Sequence, residues 1–213
     1  MSAKIVHHGD ESHILYIARV SSNQENTDPG LLRFLIRQNH WSPFEMIGAC
    51  VEINTTRDIG RQILRHRSFS FQEFSQRYAA VPELADEREM RLKGSSNRQG
   101  SLDERSIYWE DRALAFSRDA GRLYDAMIQD GVAPECARAV LPEGLTPTRM
   151  YMNGTLRSWI HYLRERCKLD EQHRPYAQRE HYHLAREIEA LFRATFPITF
   201  AAVDLIAYID QEP

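Results

Sequence analysis

The segment from Arg65 to Tyr78 restricts the possible folds of the chain more than any other segment. It must keep charged side chains accessible while it buries aromatic ones. Arginine offers a planar fork of donors that fits phosphate oxygens, and serine hydroxyls with backbone N–H groups complete an anion cradle. Glu73 can accept hydrogen bonds from sugar hydroxyls or a nitrogen heterocycle. We expect Phe69, Phe71 and Phe74 to anchor the segment to an apolar surface. Such a segment can bind a phosphate, although on charge alone a solvated face is the commoner explanation.

Two predicted helices carry further candidate residues. The first leads directly into the segment, and its last turn places Gln62 near enough to Arg65 to share a ligand. The second ends at Arg166. At 3.6 residues per turn, Arg157 and His161 share one face of that helix, while Arg166 points to about the opposite side. The second helix could therefore serve two ligands, or the sites of two subunits.

Hydrophobic periodicity predicts the remaining elements. A polar, glycine-containing stretch over 86–105 lacks lasting periodicity and is predicted to be an exposed loop or a weakly ordered excursion. Strands are predicted at 5–6, 47–53 and 146–153, a strand or extended loop at 72–81, and helices near 12–18, 31–36, 57–64, 106–130 and 184–209, the last interrupted at Pro197.

Length, charge and cysteine usage exclude several classes of protein. The 213 residues and 24.8 kDa suit a single domain, 1–213, with a core of its own. A formal net charge of -3 argues against a nucleic-acid or membrane-surface partner. Cys50, Cys136 and Cys167 form no C-x-x-C pair, and H-E-x-x-H is absent, so neither a disulfide framework nor a metal site is predicted. Without a signal-peptide pattern or a membrane-spanning apolar stretch, we expect a soluble cytoplasmic protein.

The order of residues in the arginine-rich segment resembles the signature of the flavin-dependent thymidylate synthases, the ThyX family. A second segment, from His40 to Glu45, is similar to the family's histidine followed by Ser/Thr-Pro-Phe-Glu, with Met46 where another histidine often stands. The asparagine position of the first signature is Gln72 here. The matching positions of that signature are Arg65, His66, Arg67, Ser70, Ser75, Arg77 and Tyr78.

The resemblance implies a fold and a reaction. The implied fold is α/β (α+β), with a central, mainly antiparallel sheet flanked by helices and no Rossmann motif, since no G-x-G-x-x-G occurs. The implied reaction is reductive methylation of dUMP to dTMP, with 5,10-methylenetetrahydrofolate as carbon donor and NADPH reducing FAD. The implied assembly is a homotetramer with active sites shared between chains.

The resemblance also assigns roles to residues. Arg166 is the implied catalytic residue, whose guanidinium would stabilise negative charge developing at the uracil O2/N3 edge. His161 stands where relatives commonly have Asn. The implied flavin contacts are Ser42, Arg65, His66, Arg67, Glu73, Thr155, Leu156, Arg157 and His161, and the implied nucleotide contacts are Gln62, Arg65, Glu73, Phe74, Ser75, Gln76, Arg77, Arg138 and Arg166.

Two alternatives stay open at this point. A noncatalytic nucleotide- or RNA-binding protein could use the same arginine and aromatic cluster for phosphates and stacking. An enzyme of the same family could also have changed its substrate or methylene donor. The family's Ala-Gln-x-Glu helix arrives late here, at Ala177–Glu180, so 167–176 is predicted to be an insertion.

Overall fold

The computed structural model describes residues 1–20, 28–81, 83–94 and 100–209, with side-chain surroundings given as far as Asp204. Strands and helices are interspersed along the chain. In chain order they are β1 (Ser2–His8), α1 (Ser12–Ala18), α2 (Gly30–Arg37), α3 (Ser42–Glu45), β2 (Gly48–Thr56), α4 (Arg57–Ile63), β3 (Ser70–Glu73), β4 (Arg91–Lys93), β5 (Ser101–Arg105), α5 (Ile107–Gln129), α6 (Pro134–Ala137), a 3₁₀ turn (Arg138–Val140), β6 (Pro147–Thr155), α7 (Leu156–Arg166), α8 (Arg179–Thr195) and α9 (Pro197–Ile209).

The main sheet of the described chain has four strands in the order β1-β2-β6-β3. At one end of the β2–β6 pair, the Leu156 N–H donates to the Ile47 carbonyl over 2.7 Å. At the other end, the Arg57 N–H donates to the Thr146 carbonyl over 2.9 Å. The start of each strand thus meets the end of the other, which is antiparallel pairing. This mainly antiparallel sheet among helices confirms the predicted fold class.

The two central strands, β2 and β6, carry much of the apolar core. Ala49, Val51 and Ile53 share one face of β2 by the two-residue period of a strand, and all three are fully buried. Met150 and Met152 of β6 are fully buried in the same alternating manner. Each central strand continues directly into a helix, β2 into α4 and β6 into α7. Both helices that carry predicted site residues therefore start from a rigid strand.

The chain divides into two compact units, each with its own apolar cluster. One boundary between them falls inside the arginine-rich segment, between His66 and Arg67. The first unit consists of Ile53–His66 and Gln72–Met150, and the second of Ser2–Glu52, Arg67–Phe71 and the chain from Tyr151 onward.

The apolar cluster of the first unit lies against α5. Its buried members are Val81, Tyr124 and Ala137. The Val81 N–H donates to the Tyr124 hydroxyl over 2.9 Å, which satisfies a buried backbone donor. α5 stops before Gly131, whose φ of 83° favours glycine, so the predicted helix stop is confirmed.

β4 and β5 form a separate antiparallel pair in the first unit, with Arg91 opposite Arg105 and Lys93 opposite Ser101. The exposed loop predicted over 86–105 is therefore wrong for these residues. Both strands are largely exposed, so they lack the apolar alternation by which a strand is recognised in sequence. The Arg91 Nε–H donates to the Ser101 hydroxyl over 2.9 Å, a polar contact that supports the pairing. Residues 95–99 lie outside the described chain.

The core of the second unit is aromatic. The Trp159 ring on α7 lies 4.8 Å from the Phe192 ring on α8, and Phe192 lies 5.5 Å from Phe196. Glu11 is almost fully buried, and its carboxylate accepts hydrogen bonds from the backbone N–H groups of Ile198 and Thr199. A buried carboxylate thereby satisfies the first turn of α9 and its positive dipole end.

Most predicted elements are confirmed, including both ends of α7 and the interruption at Pro197. Pro43 lies in the first turn of α3, a position at which a helix tolerates proline. Thr56 is the N-cap residue of α4, but its hydroxyl donates to Asp58 Oδ1 over 2.5 Å instead of capping the backbone. Thr27, part of the predicted cap of α2, lies outside the described residues. In the described part of the chain, no helix is long and apolar enough to cross a bilayer.

Candidate functional site

Glu73, the last residue of β3, is held in the first unit by two side chains. Its Oε1 accepts a hydrogen bond from the Thr148 hydroxyl over 2.8 Å and lies 3.5 Å from Arg57 Nη1. α4 approaches closely at Gly60, where an added Cβ would lie 3.3 Å from Thr148 Cγ2. Among the described residues, Glu73 Oε2 has no hydrogen-bond partner. This oxygen can therefore accept a hydrogen bond from a ligand.

A tight turn follows β3. The Tyr78 N–H donates to the Ser75 carbonyl over 3.2 Å, and the Arg77 N–H donates to Ser75 Oγ over 3.4 Å. Gln76, inside this turn, is only 5% exposed, and its Nε2 has no hydrogen-bond partner among the described residues. A buried donor without a partner costs about 1–3 kcal/mol. Gln76 is therefore the strongest local indication that a ligand acceptor binds at this turn.

Arg77 and Arg138, far apart in sequence, meet at one residue of the first unit. The Arg77 Nε–H donates to the Glu135 carboxylate over 3.3 Å. The Arg138 Nε–H donates to the Glu135 carbonyl over 3.2 Å. α6 begins at Pro134 and thus positions both contacts. Two guanidinium groups predicted to bind one phosphate are brought to the same place.

The Arg-His-Arg triplet follows the last turn of α4. The His66 N–H donates to the Ile63 carbonyl over 3.0 Å, which closes that turn. Arg65 and Arg67 are exposed, and Gln62 is half-buried. Arg65 and His66 belong to the first unit and Arg67 to the second. Their exposure suits ligand binding, and their individual roles stay predictions.

Phe69 anchors the arginine-rich segment in the second unit. Its ring is buried, 4.8 Å from the Trp159 ring and 5.9 Å from the Tyr162 ring. A Cβ added at Gly154 would lie 2.4 Å from Phe69 Cδ1, a distance no real Cβ adopts. Glycine at this position thus permits the contact. The predicted anchoring role of Phe69 is confirmed.

The start of α7 is fixed by the cap residue Thr155. Its Oγ1 accepts a hydrogen bond from the Ser158 N–H over 3.3 Å. The Ser158 hydroxyl donates to the Ser68 carbonyl over 3.2 Å, which ties the helix to the arginine-rich segment. Leu156 is fully buried and its N–H is bonded to Ile47, so the structure places this predicted flavin contact in the core.

One exposed face of α7 carries Arg157 and His161, as predicted. Arg157 pairs with Glu45 of α3, the helix that begins at Ser42. The His161 ring lies 4.6 Å from the Trp41 ring. Partial burial, followed by the positive charges of Arg164 and Arg157, holds the pKa of His161 below its usual value. The neutral form of this imidazole is therefore favoured.

Sequence reasoning missed Trp41 and Arg164. Trp41 is nearly buried, and the Arg164 guanidinium lies 5.9 Å from its ring centre, within cation–π range. Their positions next to predicted site residues could have identified them, since Trp41 precedes Ser42 and Arg164 is one helical turn after His161.

Arg166 is the last residue of α7 and is half-buried. Its neighbour one turn earlier, Tyr162, is buried, and the Tyr162 hydroxyl lies 2.9 Å from His181 Nε2 on α8. Burial raises the pKa of Tyr162, and the positive charge of Arg166 opposes that rise. Sequence reasoning did not find this pair, because nothing local marks a contact between two helices.

The predicted residues fall into two sets. The first set, in the first unit, contains most of the predicted nucleotide contacts, and the second contains most of the predicted flavin contacts and Arg166. The first set is Gln62, Arg65, His66, Glu73, Phe74, Ser75, Gln76, Arg77 and Arg138, and the second is Ser42, Arg67, Thr155, Leu156, Arg157, His161 and Arg166.

Residues 4–198 match the family model described as thymidylate synthase complementing protein. A flavin-dependent thymidylate synthase of Synechocystis sp. is 46% identical over 200 residues, covering 91% of this chain and 89% of that protein. A probable flavin-dependent thymidylate synthase of Paramecium bursaria Chlorella virus 1 is 42% identical over 204 residues, covering 92% and 91%.

Among solved structures, the chain is similar to the UMP/dUMP methylase PolB from Streptomyces cacaoi bound with 5-Br dUMP. The TM-score is 0.80 at 28% sequence identity, and the alignment covers 96% of this chain and 94% of that one. A second structure of the same methylase, bound with 5-Br UMP, gives the same TM-score at 27% identity.

Proposed function

Since the chain belongs to the family of flavin-dependent thymidylate synthases, we propose that it methylates dUMP to dTMP and that the two residue sets serve this one reaction. It is an FAD-dependent methyltransferase of dTMP biosynthesis. The observation that carries the residue-level proposal is the meeting of Arg77 and Arg138 at Glu135 beside the turn that contains Gln76. This arrangement supports a phosphate site assembled from distant parts of one unit.

In this proposal the dUMP phosphate binds Ser75, Gln76, Arg77 and Arg138. The two guanidinium groups supply charge-assisted donors, and Gln76 Nε2 supplies a buried donor that the described residues leave unmatched. Glu73 accepts hydrogen bonds from the nucleotide through Oε2, because Thr148 and Arg57 hold its other oxygen.

Arg166 is the proposed catalytic residue. A guanidinium at the uracil O2/N3 edge stabilises the negative charge that develops as C5 becomes nucleophilic. Arginine stays protonated, so this role is electrostatic and involves no proton transfer. The packing of Tyr162 on His181 fixes the helix turn that precedes Arg166.

The donor chemistry of the second set fits FAD, which has a diphosphate and a planar ring system. Exposed Arg67 and Arg157 offer guanidinium donors, and His161 lies beside the Trp41 ring. We assign Ser42, Thr155 and the backbone at Leu156 to the same group, together with Arg65, His66 and Glu73 of the first set. When bound, FAD supplies the hydride that reduces the transferred carbon.

The family resemblance further supports 5,10-methylenetetrahydrofolate as carbon donor, NADPH as reductant and a homotetramer with shared sites. Three free cysteines suit a reducing cytoplasm, which we propose as the location.

A related substrate is the second candidate, because the similar methylase is described as acting on UMP as well as dUMP. The chain itself has Gln72 in place of the signature asparagine, which leaves room for such a change. The RNA-binding alternative is not favoured by the family match.

The visible spectrum of the purified protein and the methylation product test the proposal together. We expect a flavin spectrum, NADPH oxidation that depends on methylenetetrahydrofolate, and dTMP formed from dUMP. Parallel reactions with UMP decide between the two substrates. A colourless protein that reconstitution with FAD does not colour, or flavin oxidation without methylated product from either nucleotide, would overturn the proposal.

A further inference from the structure

Tyr162 of α7 and His181 of α8 form a polar pair inside the apolar core of the second unit. Tyr162 is 2% exposed and His181 is fully buried, and the Tyr162 hydroxyl is hydrogen-bonded to His181 Nε2 over 2.9 Å. A phenylalanine and a leucine would fill a similar space without burying polar atoms, so packing alone does not require this pair. What a hydrogen bond adds to packing is direction, because it fixes the relative orientation of two side chains.

The oriented tyrosine is a direct neighbour of Arg166. Arg166 follows Tyr162 by four residues, so the two side chains are adjacent on the surface of α7. Burial raises the pKa of Tyr162, and the positive charge of Arg166 opposes that rise, which shows that the guanidinium lies close to the phenol. A change in the orientation of Tyr162 would therefore be transmitted to Arg166.

A second contact with α8 holds the chain directly after Arg166. The Cys167 N–H donates to the Leu163 carbonyl over 2.8 Å, which closes the last turn of α7. The Cys167 thiol is hydrogen-bonded to Glu189 of α8. Glu189 is nearly buried, and its Oε1 lies 2.6 Å from Arg193 Nη2. Arg166 therefore lies between two residues that are each bonded to α8.

Tyr162 also contacts the arginine-rich segment, since its ring lies 5.9 Å from the Phe69 ring in an edge-on arrangement. We infer that Tyr162 and His181 are positioning residues for Arg166, and that their hydrogen bond fixes where the guanidinium stands relative to the uracil ring. Because His181 is fully buried, it acts on the reaction only through Tyr162. Stabilisation by a positioned charge depends steeply on geometry. The inference rests on the catalytic role proposed for Arg166.

Paired substitutions separate positioning from stability. Tyr162→Phe removes the hydroxyl and keeps the ring, and His181→Leu removes the nitrogen that it meets. Each single variant leaves a buried polar atom without this hydrogen bond, so we expect a lower Tm and a kcat per bound flavin reduced roughly 10- to 100-fold. The double variant Y162F/H181L removes both polar atoms and should regain most of the Tm but not the kcat. A purely structural pair would regain both together.

A double-mutant cycle tests whether the effect passes through Arg166. In an Arg166→Ala background, Tyr162→Phe should lower the Tm as before and change kcat by less than about twofold. His181→Gln can still hydrogen-bond with Tyr162 and should retain more activity than His181→Leu. Tyr124→Phe is the matched control, because Tyr124 is a buried tyrosine of the first unit whose hydroxyl accepts from the Val81 N–H. It should lower the Tm and keep the wild-type kcat.

Three results would overturn the inference and leave the proposed reaction standing. They are wild-type kcat in Tyr162→Phe and His181→Leu, recovery of kcat in Y162F/H181L, and an equal loss of kcat from Tyr162→Phe with and without Arg166. A wild-type protein that forms no dTMP from dUMP would instead overturn the proposed function, and this inference with it.

Discussion

At the scale of single residues, the site arginines are held by carboxylates that a phosphate can replace. Arg77 pairs with Glu135 and Arg157 with Glu45, and these side chains are roughly half exposed. Such exposed pairs contribute only about 0–1 kcal/mol. The Arg57–Glu73 pair is much less exposed and serves to orient Glu73. Arg77 and Arg157, which we propose to bind ligands, are therefore oriented by ion pairs that cost little free energy to exchange for a ligand.

Arg166 can be removed to test its catalytic role. We expect Arg166→Ala to lower kcat for dTMP formation roughly 100- to 1000-fold, because a positioned donor at developing negative charge contributes that much. Flavin content should stay near wild type, since the proposed FAD contacts lie elsewhere. Arg174→Ala, which removes an arginine paired with Asp170, is the matched control and should retain turnover. Undiminished turnover in Arg166→Ala would contradict the assignment.

His161 gives a pH-dependent prediction. Its folded-state pKa lies below the ordinary value of 6.5 because of burial and the charges of Arg164 and Arg157. As pH falls below that value, the unfolded chain takes up a proton that the folded chain resists, so acidification destabilises the fold. We therefore expect the Tm of wild type to fall relative to that of His161→Asn between pH 7.5 and 5. Melting curves that shift in parallel would contradict the lowered pKa.

At the scale of elements, the segment that carries the signature is fixed to the end of β6 by the contact of Phe69 with Gly154. Because an added methyl group would overlap the ring, we expect Gly154→Ala to destabilise the protein by about 1–3 kcal/mol. Combining it with Phe69→Leu should recover part of that loss, and urea unfolding measures both.

The control for this substitution is Gly121→Ala on α5. There the nearest atom to an added Cβ is Leu84 Cδ1, at an ordinary 3.9 Å. Alanine favours a helix interior by up to about 1 kcal/mol over glycine, so this variant should be neutral or stabilised. Equal destabilisation of both variants would show that the Phe69 contact is not the cause.

Elements with strong local signals were predictable from sequence. The bounds of α7 follow from the Thr155 cap and the apolar spacing after it. β4 and β5 were missed because their side chains are solvated and only pairing makes them strands. Contacts between elements, such as Tyr162 with His181, leave no local pattern to detect. The chemical types of the site residues could be predicted from the sequence. The meeting of Arg77 and Arg138 at Glu135 could be found only from the folded structure.

At the scale of the whole molecule, the residues of the proposed reaction are divided between two compact units, each with its own core. The single domain expected from length remains a prediction. The homotetramer with shared active sites, which the family resemblance implies, stays a proposal.

Thiol reactivity tests how well the folded molecule protects its interior. Cys136 is exposed, whereas burial raises the pKa of Cys50, and burial with Glu189 raises that of Cys167 to about 12. At pH 8 we expect Ellman's reagent to titrate one thiol in native protein and all three after denaturation. Cys136→Ser should abolish the native reaction. Rapid reaction of a second thiol would indicate local opening around Cys50 or Cys167.

The buried amide of Gln76 has a consequence for selectivity among small molecules. A compound that places an oxygen beside Gln76 Nε2 removes the free-energy cost of this buried, unpaired donor. A compound that places a methyl or an amino group there leaves that cost unchanged or increases it. Discrimination of this type works by rejection, since analogues without the oxygen are disfavoured even when they fit sterically. The turn after β3 would thus select substrates by their anionic end, independently of the contacts made to the pyrimidine ring.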